Sequence, residues 1–293
     1  MSSSPLADRT VVVTGAARGL GAALAREISR RGARMALLGH ESAALVAVAA
    51  SLPGPALTIE VDVTDPAALA AAARTVRAGL GRPSAVVANA GIAEGGPLLA
   101  SDPAAWRRVI DVNLTGSAHT ARAFLPDLFD TAGYFLQIAS LASIGAVPLM
   151  SAYCASKAGA EAFAHSLQAE VAHGGVGVGI AYLNWTDTDM IRDADRYPVM
   201  RRLRLHMPPP AHRIHPVDAV AARLVRGLER RRTAVYAPTW LRLTQLVRPA
   251  LPPVVLRVSR RALPRLKATK PVQHTGPLGA GGLADRTVSR PGP

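Results

Sequence analysis

A chain of 293 residues with 49% hydrophobic and 18% charged side chains holds enough apolar material for a sizeable core and is not mostly disordered. Its single cysteine, Cys154, excludes an intramolecular disulfide framework and any zinc site built from several cysteines. The net charge of +14 is unevenly held: residues 1–195 sum to −3 and residues 196–293 to +17, so the basicity belongs to a C-terminal appendage and makes nucleic acid an unlikely partner.

Short β-rich runs alternate with Ala-rich helical runs. Thr10–Thr14 reads as a buried strand, followed by a Gly-rich turn and a helix to about Arg30. Arg34–Leu38 is a second strand and Ser42–Ala50 a helix; Ala56–Val61 is a third strand and Pro66–Leu80 a helix, with proline at its first turn where a missing N–H costs nothing. Ala85–Ala88, Tyr134–Ile138, Gly177–Tyr182 and Thr233–Tyr236 are further strands. Pro103–Leu128, Ser151–His173 and Pro216–Glu229 are the helices between them. Runs such as VVV and AVV show no polar alternation, which suits strands covered on both faces. The expectation is an α/β fold: a Rossmann-type, doubly wound parallel sheet of about seven strands, occupying residues 5–238.

Beyond it, residues 239–268 mix Leu, Val and Arg with several prolines and read as a basic, Pro-interrupted amphipathic extension. From 269 to 293 Gly, Pro and polar residues dominate, and disorder is expected. No basic region followed by an apolar run opens the chain, and no stretch offers about 20 uncharged apolar residues. A cytoplasmic protein is expected, with residues 239–268 suited to peripheral contact with the inner membrane surface.

Thr14-Gly15-Ala16-Ala17-Arg18-Gly19-Leu20-Gly21 joins the first strand to its helix. Glycines there let the backbone approach a pyrophosphate, and the helix N-terminus offers free N–H groups and partial positive charge. Downstream, Tyr153 and Lys157 sit four apart on one helix face, thirteen and seventeen residues after Ser140 at a strand's carboxyl end. A nearby ammonium lowers a phenol's pKa, which would make Tyr153 a proton carrier near neutrality. Each piece has a plainer reading alone: a tight turn, a solvated Arg18, a helix-capping Asp62, a surface Tyr–Lys pair.

Taken together, in order and on matching elements from about Thr10 to Tyr236, these residues resemble the short-chain dehydrogenase/reductase family. Ala88-Asn89-Ala90-Gly91 resembles the family's N-N-A-G, with Ala88 for the first Asn. The resemblance implies a nicotinamide dinucleotide bound by Gly15, Arg18, Gly19, Leu20, Gly21, His40, Asp62, Val63, Asn89, Ala90, Gly91 and Thr188, with Tyr153 and Lys157 shared between cofactor and reaction. Asp62 would meet the adenine amine. Asn113, Ser140, Tyr153 and Lys157 would form the catalytic set, Asn113 holding a water in the proton relay. No metal is implied; His206, His212 and His215 read as solvated or capping side chains.

Gly39 stands where an acidic residue would grip the adenosine ribose, and Arg18 is placed for a 2′-phosphate with His40 beside it. NADP is therefore expected, with Glu41 keeping NAD open. Leu183-Asn184 replace the family's frequent Pro-Gly, and Trp185 is as compatible with core as with the nicotinamide. Met190–His215, rich in Met and Leu, is expected as a lid over a lipophilic carbonyl or alcohol substrate. Family members commonly form homodimers or homotetramers. The alternative is a catalytically weak cofactor-binding regulatory or scaffold protein on the same fold.

Overall fold

The structure is a computed structural model that describes residues 4–269 and 274–288. Seven strands, Thr10–Thr14 (β1), Arg34–Gly39 (β2), Ala56–Glu60 (β3), Pro83–Ala88 (β4), Tyr134–Ile138 (β5), Gly177–Leu183 (β6) and Ala234–Ala237 (β7), form one sheet in the order β3-β2-β1-β4-β5-β6-β7. Every neighbouring pair is parallel. The order turns back between β1 and β4, and the crevice that such a reversal opens at the strands' carboxyl ends is where open α/β sheets bind ligands. All five residues of β1 and of β5 are buried, as the VVV run of β1 foretells; β5 buries Gln137 as well.

The helices are Gly19–Ser29 (α1), Ser42–Ala50 (α2), Pro66–Leu80 (α3), Pro103–Ile110 (α4), Gly116–Asp130 (α5), Leu141–Ile144 (α6), Ser151–Val171 (α7), Asp189–Ala194 (α8), Pro198–Leu205 (α9), Val217–Glu229 (α10), Leu241–Leu246 (α11), Leu251–Thr269 (α12) and Gly279–Val288 (α13). One face of the sheet buries Leu24, Ile28, Leu45 and Leu224 of α1, α2 and α10. The other buries Leu69, Val76, Phe124, Leu128 and Leu167 of α3, α5 and α7. Asp65 caps α3, accepting from the amides of Ala67 and Ala68 at 2.8 and 2.9 Å, with Pro66 beginning the helix as expected.

Three expectations need correcting. The helix expected over 103–128 is interrupted by a wider π turn at Asp111–Thr115, which carries Asn113. Such bulges cluster at functional sites. The extension beyond 238 is less broken than its prolines suggest. Pro252 and Pro253 fall in the first turn of the 19-residue α12, where no intrahelical N–H bond is lost, and only Pro264 lies further inside. Third, the segment expected to be disordered from 269 has, over 274–288, a bridge from Pro277 to Glu94 and the helix α13. Its glycines serve close approach there: a Cβ on Gly279, at φ +76°, would stand 2.7 Å from the Met190 nitrogen.

Candidate active site

At the sheet's carboxyl edge Gly15 and Gly19 adopt φ of +63° and +52°, and a Cβ on Gly15 would lie 2.8 Å from Ala90 Cα. The turn after β1 thus packs directly on the turn after β4. Asn89 stitches the two: its Nδ2 donates to the carbonyls of Thr14 and Gly15 at 2.9 and 3.2 Å. The Thr14 hydroxyl accepts from the amides of Asn89 and Ala90 at 3.1 Å each. These contacts leave the N-terminal turn of α1 facing an open cleft of about 230 Å³.

Of the residues expected at the cofactor, all line that cleft: the glycine turn with Arg18 and Leu20, His40 after β2, Asp62 and Val63 after β3, the Asn89–Gly91 turn, and Thr188 at the start of α8. Thr188 crosses over the glycine turn, since a Cβ on Gly19 would touch its methyl at 3.4 Å. Burial leaves His40 Nε2 without a hydrogen-bond partner in the cleft wall. A Gly-shaped cradle at a helix start, an unpartnered ring nitrogen and a carboxylate at the far end fit a dinucleotide.

Charge at the outer end differs from expectation. Arg18 is not free: its guanidinium forms a two-pronged pair with the Glu41 carboxylate, Nε donating at 2.7 Å, and lies 3.6 Å from Asp189. Hydrogen bonding to Glu41 raises the Arg18 pKa above its ordinary value despite burial. Asp62 is also engaged. Its Oδ1 accepts from the Thr64 amide and hydroxyl at 2.8 Å each, and its Oδ2 from Arg108 Nη2 at 2.6 Å. Burial opposes the charged form of Asp62, yet the Thr64 and Arg108 hydrogen bonds hold its pKa below the usual value.

At the inner end Ser140, Tyr153 and Lys157 meet on the same cleft. Ser140 ends β5's loop as the cap of α6, its Oγ accepting from the Ala142 amide at 3.1 Å. Its own proton is directed to the neighbouring Tyr153 oxygen, beside which a substrate oxygen would sit. Lys157 Nζ is buried, donates to the Ile138 carbonyl at 3.1 Å, and stands 5.8 Å from the centroid of the Tyr153 ring. Burial pushes the Tyr153 phenol up to about 12, with a Ser140 hydrogen bond pulling the other way, and brings Lys157 down to about 8. The expectation of a phenol lowered by its ammonium neighbour is thus corrected: desolvation dominates, and what pulls the phenol down is Ser140 and not Lys157.

Asn113 does not line the cleft. Fully buried one layer behind it, its Oδ1 accepts from the Ile92 amide at 2.8 Å, and its Nδ2 donates to the Ile92 carbonyl and to Ser156 Oγ at 2.9 Å each. The π turn delivers this carboxamide to the strand-end loop, so Asn113 holds backbone in place.

A side chamber of about 70 Å³ opens next to Tyr153 and Ser140, walled by Met190, Met200, Met207 and Trp185. Trp185 is a wall residue, its Nε1 donating to Met207 Sδ at 3.4 Å. Asn184, in place of the expected turn residue, ties the lid down through Nδ2 to the Ala211 carbonyl at 3.0 Å. Burial pushes the Cys154 thiol up, and its sulfur accepts from the Val147 amide at 3.4 Å. Further cleft residues escaped the sequence reading, among them five from the C-terminal segment: Leu278, Gly279, Gly281, Gly282 and Asp285. Their glycine-rich surroundings looked like a linker, and nothing local tells a linker from a close-packed strap.

Comparison with known proteins agrees with this geometry. The family model for short chain dehydrogenases matches residues 9–197. Meso-2,3-butanediol dehydrogenase of Serratia marcescens is 34% identical over 174 residues, 59% of this chain and 68% of that protein. A metagenomic short-chain oxidoreductase solved in complex with NADP superposes with TM-score 0.59 at 36% identity, covering 61% of this chain and 83% of that one. A short-chain dehydrogenase/reductase from Burkholderia phymatum, solved with NAD, shares the fold over 84% of this chain and 94% of its own, with TM-score 0.73 at 24% identity. With a matching family model over most of the chain and a cleft of this construction, the protein belongs to the short-chain dehydrogenase/reductase family of oxidoreductases.

Proposed function

We propose that the chain interconverts a small lipophilic ketone and its secondary alcohol with NADP(H), NAD(H) being the alternative. The observation that carries this reading is the convergence of Ser140, Tyr153 and Lys157 on the cleft opened by the Gly15–Gly21 turn. A nicotinamide dinucleotide bound there supplies or accepts the hydride. The protein's part is the proton and the oxygen. A phenol with a pKa of about 12 is protonated at neutral pH, the form that donates to a carbonyl oxygen gaining negative charge. Ser140 donates to the same oxygen, and the half-buried apolar surround strengthens both hydrogen bonds. Lys157 offers a buried ammonium close to the ring, and Asn113 keeps the Ile92 backbone and Ser156 in register behind it.

The cofactor choice rests on Arg18. The NADP-bound relative supports a 2′-phosphate in this cleft, whereas the Glu41 carboxylate on Arg18 opposes one. The apolar side chamber supports a lipophilic substituent on the substrate. The test is Tyr153→Phe: turnover of a ketone panel falls about 10²–10⁴-fold, the share of general acid catalysis, while dinucleotide fluorescence titration is unchanged. Full activity in that variant would defeat the assignment.

A second reading concerns location. Among the described residues no helix is long and apolar enough to cross a membrane. Leu243, Leu246, Val247, Val254 and Val258 of the extension are at least half exposed beside Arg257, Arg260 and Arg261, a composition that favours the surface of an anionic bilayer. A homodimer or homotetramer burying this face is the competing arrangement.

A further inference from the structure

Residues 274–285 lie against the mouth of the site and are held at both ends. At one end Thr275 and Leu278 pair with the loop after β4: the Thr275 amide donates to the Gly95 carbonyl and the Leu278 amide to the Ala93 carbonyl, at 2.8 Å each. The Gly95 amide returns a bond to Thr275 Oγ1 at 2.9 Å, and the Tyr197 hydroxyl donates to the Thr275 carbonyl at 3.0 Å. His274 Nε2 stands 3.1 Å from the Glu94 carboxylate. At the other end Asp285, 2% exposed, accepts from Arg108 Nε and Nη2 at 3.0 and 2.6 Å. Arg108 also grips Asp62, so one guanidinium ties the tail to the nucleotide cleft. Between the ends, the Gly279 amide donates to Asp193 Oδ2 at 2.9 Å, and Gly281 passes over Arg18.

Leu278 occupies the position of consequence. It is 1% exposed and packs with Ala93, Met150, Ala194 and Met200 in the cluster that also takes in Tyr153. It lines the cofactor cleft and the side chamber alike. A side chain common to the two chambers, beside the proposed proton donor, limits what fits next to the reacting carbon.

We infer that the C-terminal segment 274–285 closes the active site, and that Leu278 is a specificity-determining residue that restricts the apolar substituent of the substrate to a short one. This rests on the oxidoreductase reading above. Removing three carbons from the wall enlarges a chamber of about 70 Å³ enough to matter, because single methylenes in apolar pockets change specificity about 10–200-fold.

The test uses the full chain with methyl ketones from 2-butanone to 2-decanone and each reduced dinucleotide. In Leu278→Ala the ratio of kcat/KM for long over short ketones rises at least tenfold; in Leu278→Phe it falls by a similar factor. The dinucleotide Kd of each variant is measured alongside, and because every ketone in the series is read with the same dinucleotide, a change in cofactor binding cancels in the ratio. Superimposable length profiles in all three proteins would overturn the inference, even if all rates fell. Hydrogen exchange on the unaltered chain gives a readout independent of turnover. The amides of Thr275 and Leu278 exchange at least 100-fold slower than in unstructured peptide, and free-peptide rates there would sink the proposal whatever the variants do. Absence of turnover in the unaltered chain with dinucleotide bound would count against the oxidoreductase reading, leaving exchange to decide where the segment lies.

Discussion

Lys157 carries an electrostatic burden that a packing residue would not. At 4% exposure its pKa falls from 10.5 to about 8, through burial alone. The folded state therefore disfavours the ammonium by about 3 kcal/mol, a difference that linkage converts into stability. The sign follows from proton counts. Below about pH 8 the amine is charged in both folded and unfolded chains and the whole penalty applies. Between about pH 8 and pH 10.5 the unfolded chain binds more protons, so this contribution makes stability rise with pH. Lys157→Met is expected to be more stable than the unaltered protein at pH 7 by about 1–3 kcal/mol in urea unfolding, and to lack the rise towards pH 10. Equal or lower stability at pH 7 would mean that the amine is better solvated than its burial implies. Arg18 offers a second residue-scale test. Replacing Glu41 by Gln releases the guanidinium and removes a charge that repels a 2′-phosphate. Preference for NADP(H) over NAD(H), read as the ratio of Kd values, is expected to rise about tenfold, equivalent to about 1.4 kcal/mol. An unchanged ratio would place the ribose away from this pair.

At the scale of elements, the strands and the main helices were legible because each carries its own pattern: unbroken apolar runs for strands covered twice, a Pro-and-Asp start for α3, and Tyr153 and Lys157 one turn apart on α7. The π turn at Asp111–Thr115 was not legible, since weak helix formers such as Asp, Val, Asn and Thr do not distinguish a wider turn from an ordinary one, and the extra backbone width arises where Asn113 bonds Ile92 and Ser156. The α11–α12 extension was read as basic, amphipathic and Pro-interrupted, and its continuity depends on where its prolines fall. Arg248 fastens it to the body, donating to both oxygens of the buried Glu161 at 2.8 and 3.1 Å, while Tyr182 donates to Oε1 at 2.8 Å. With the extension pinned there, its exposed arginines are available to a surface. Each basic residue near an anionic bilayer contributes about 1 kcal/mol, so neutralising Arg257, Arg260 and Arg261 together to Gln should weaken partition onto phosphatidylglycerol vesicles about 100-fold. Sedimentation of the full chain with such vesicles at low salt checks this. No pelleting of the unaltered chain, or equal pelleting with neutral vesicles, would leave oligomerisation to account for the apolar face.

On the scale of the whole molecule, the site is made from chain ends far apart in sequence. Gly15 and Asp62 come from the first quarter, Ser140 to Lys157 from the middle, and Leu278 to Asp285 from the last few residues described. The charge split supports the same division of labour: a near-neutral body and a basic C-terminal third that extends from the lid through α12. Arg108 links these regions, bonded on one side to Asp62 and on the other to Asp285, which holds its pKa above the ordinary value.

The sequence by itself determined the doubly wound sheet, the glycine turn and the one-turn spacing of Tyr153 and Lys157, because those depend on short-range periodicity and on spacings within single elements. Only the tertiary structure decided which of these groups touch. It paired Arg18 with Glu41, set Asn113 behind the wall, raised the Tyr153 phenol through burial, and brought a glycine-rich tail back over the cleft. The reason is physical: desolvation and ion pairing depend on what surrounds a group in space, and a chain's local pattern carries no record of partners 180 residues away, such as Thr275 for Gly95.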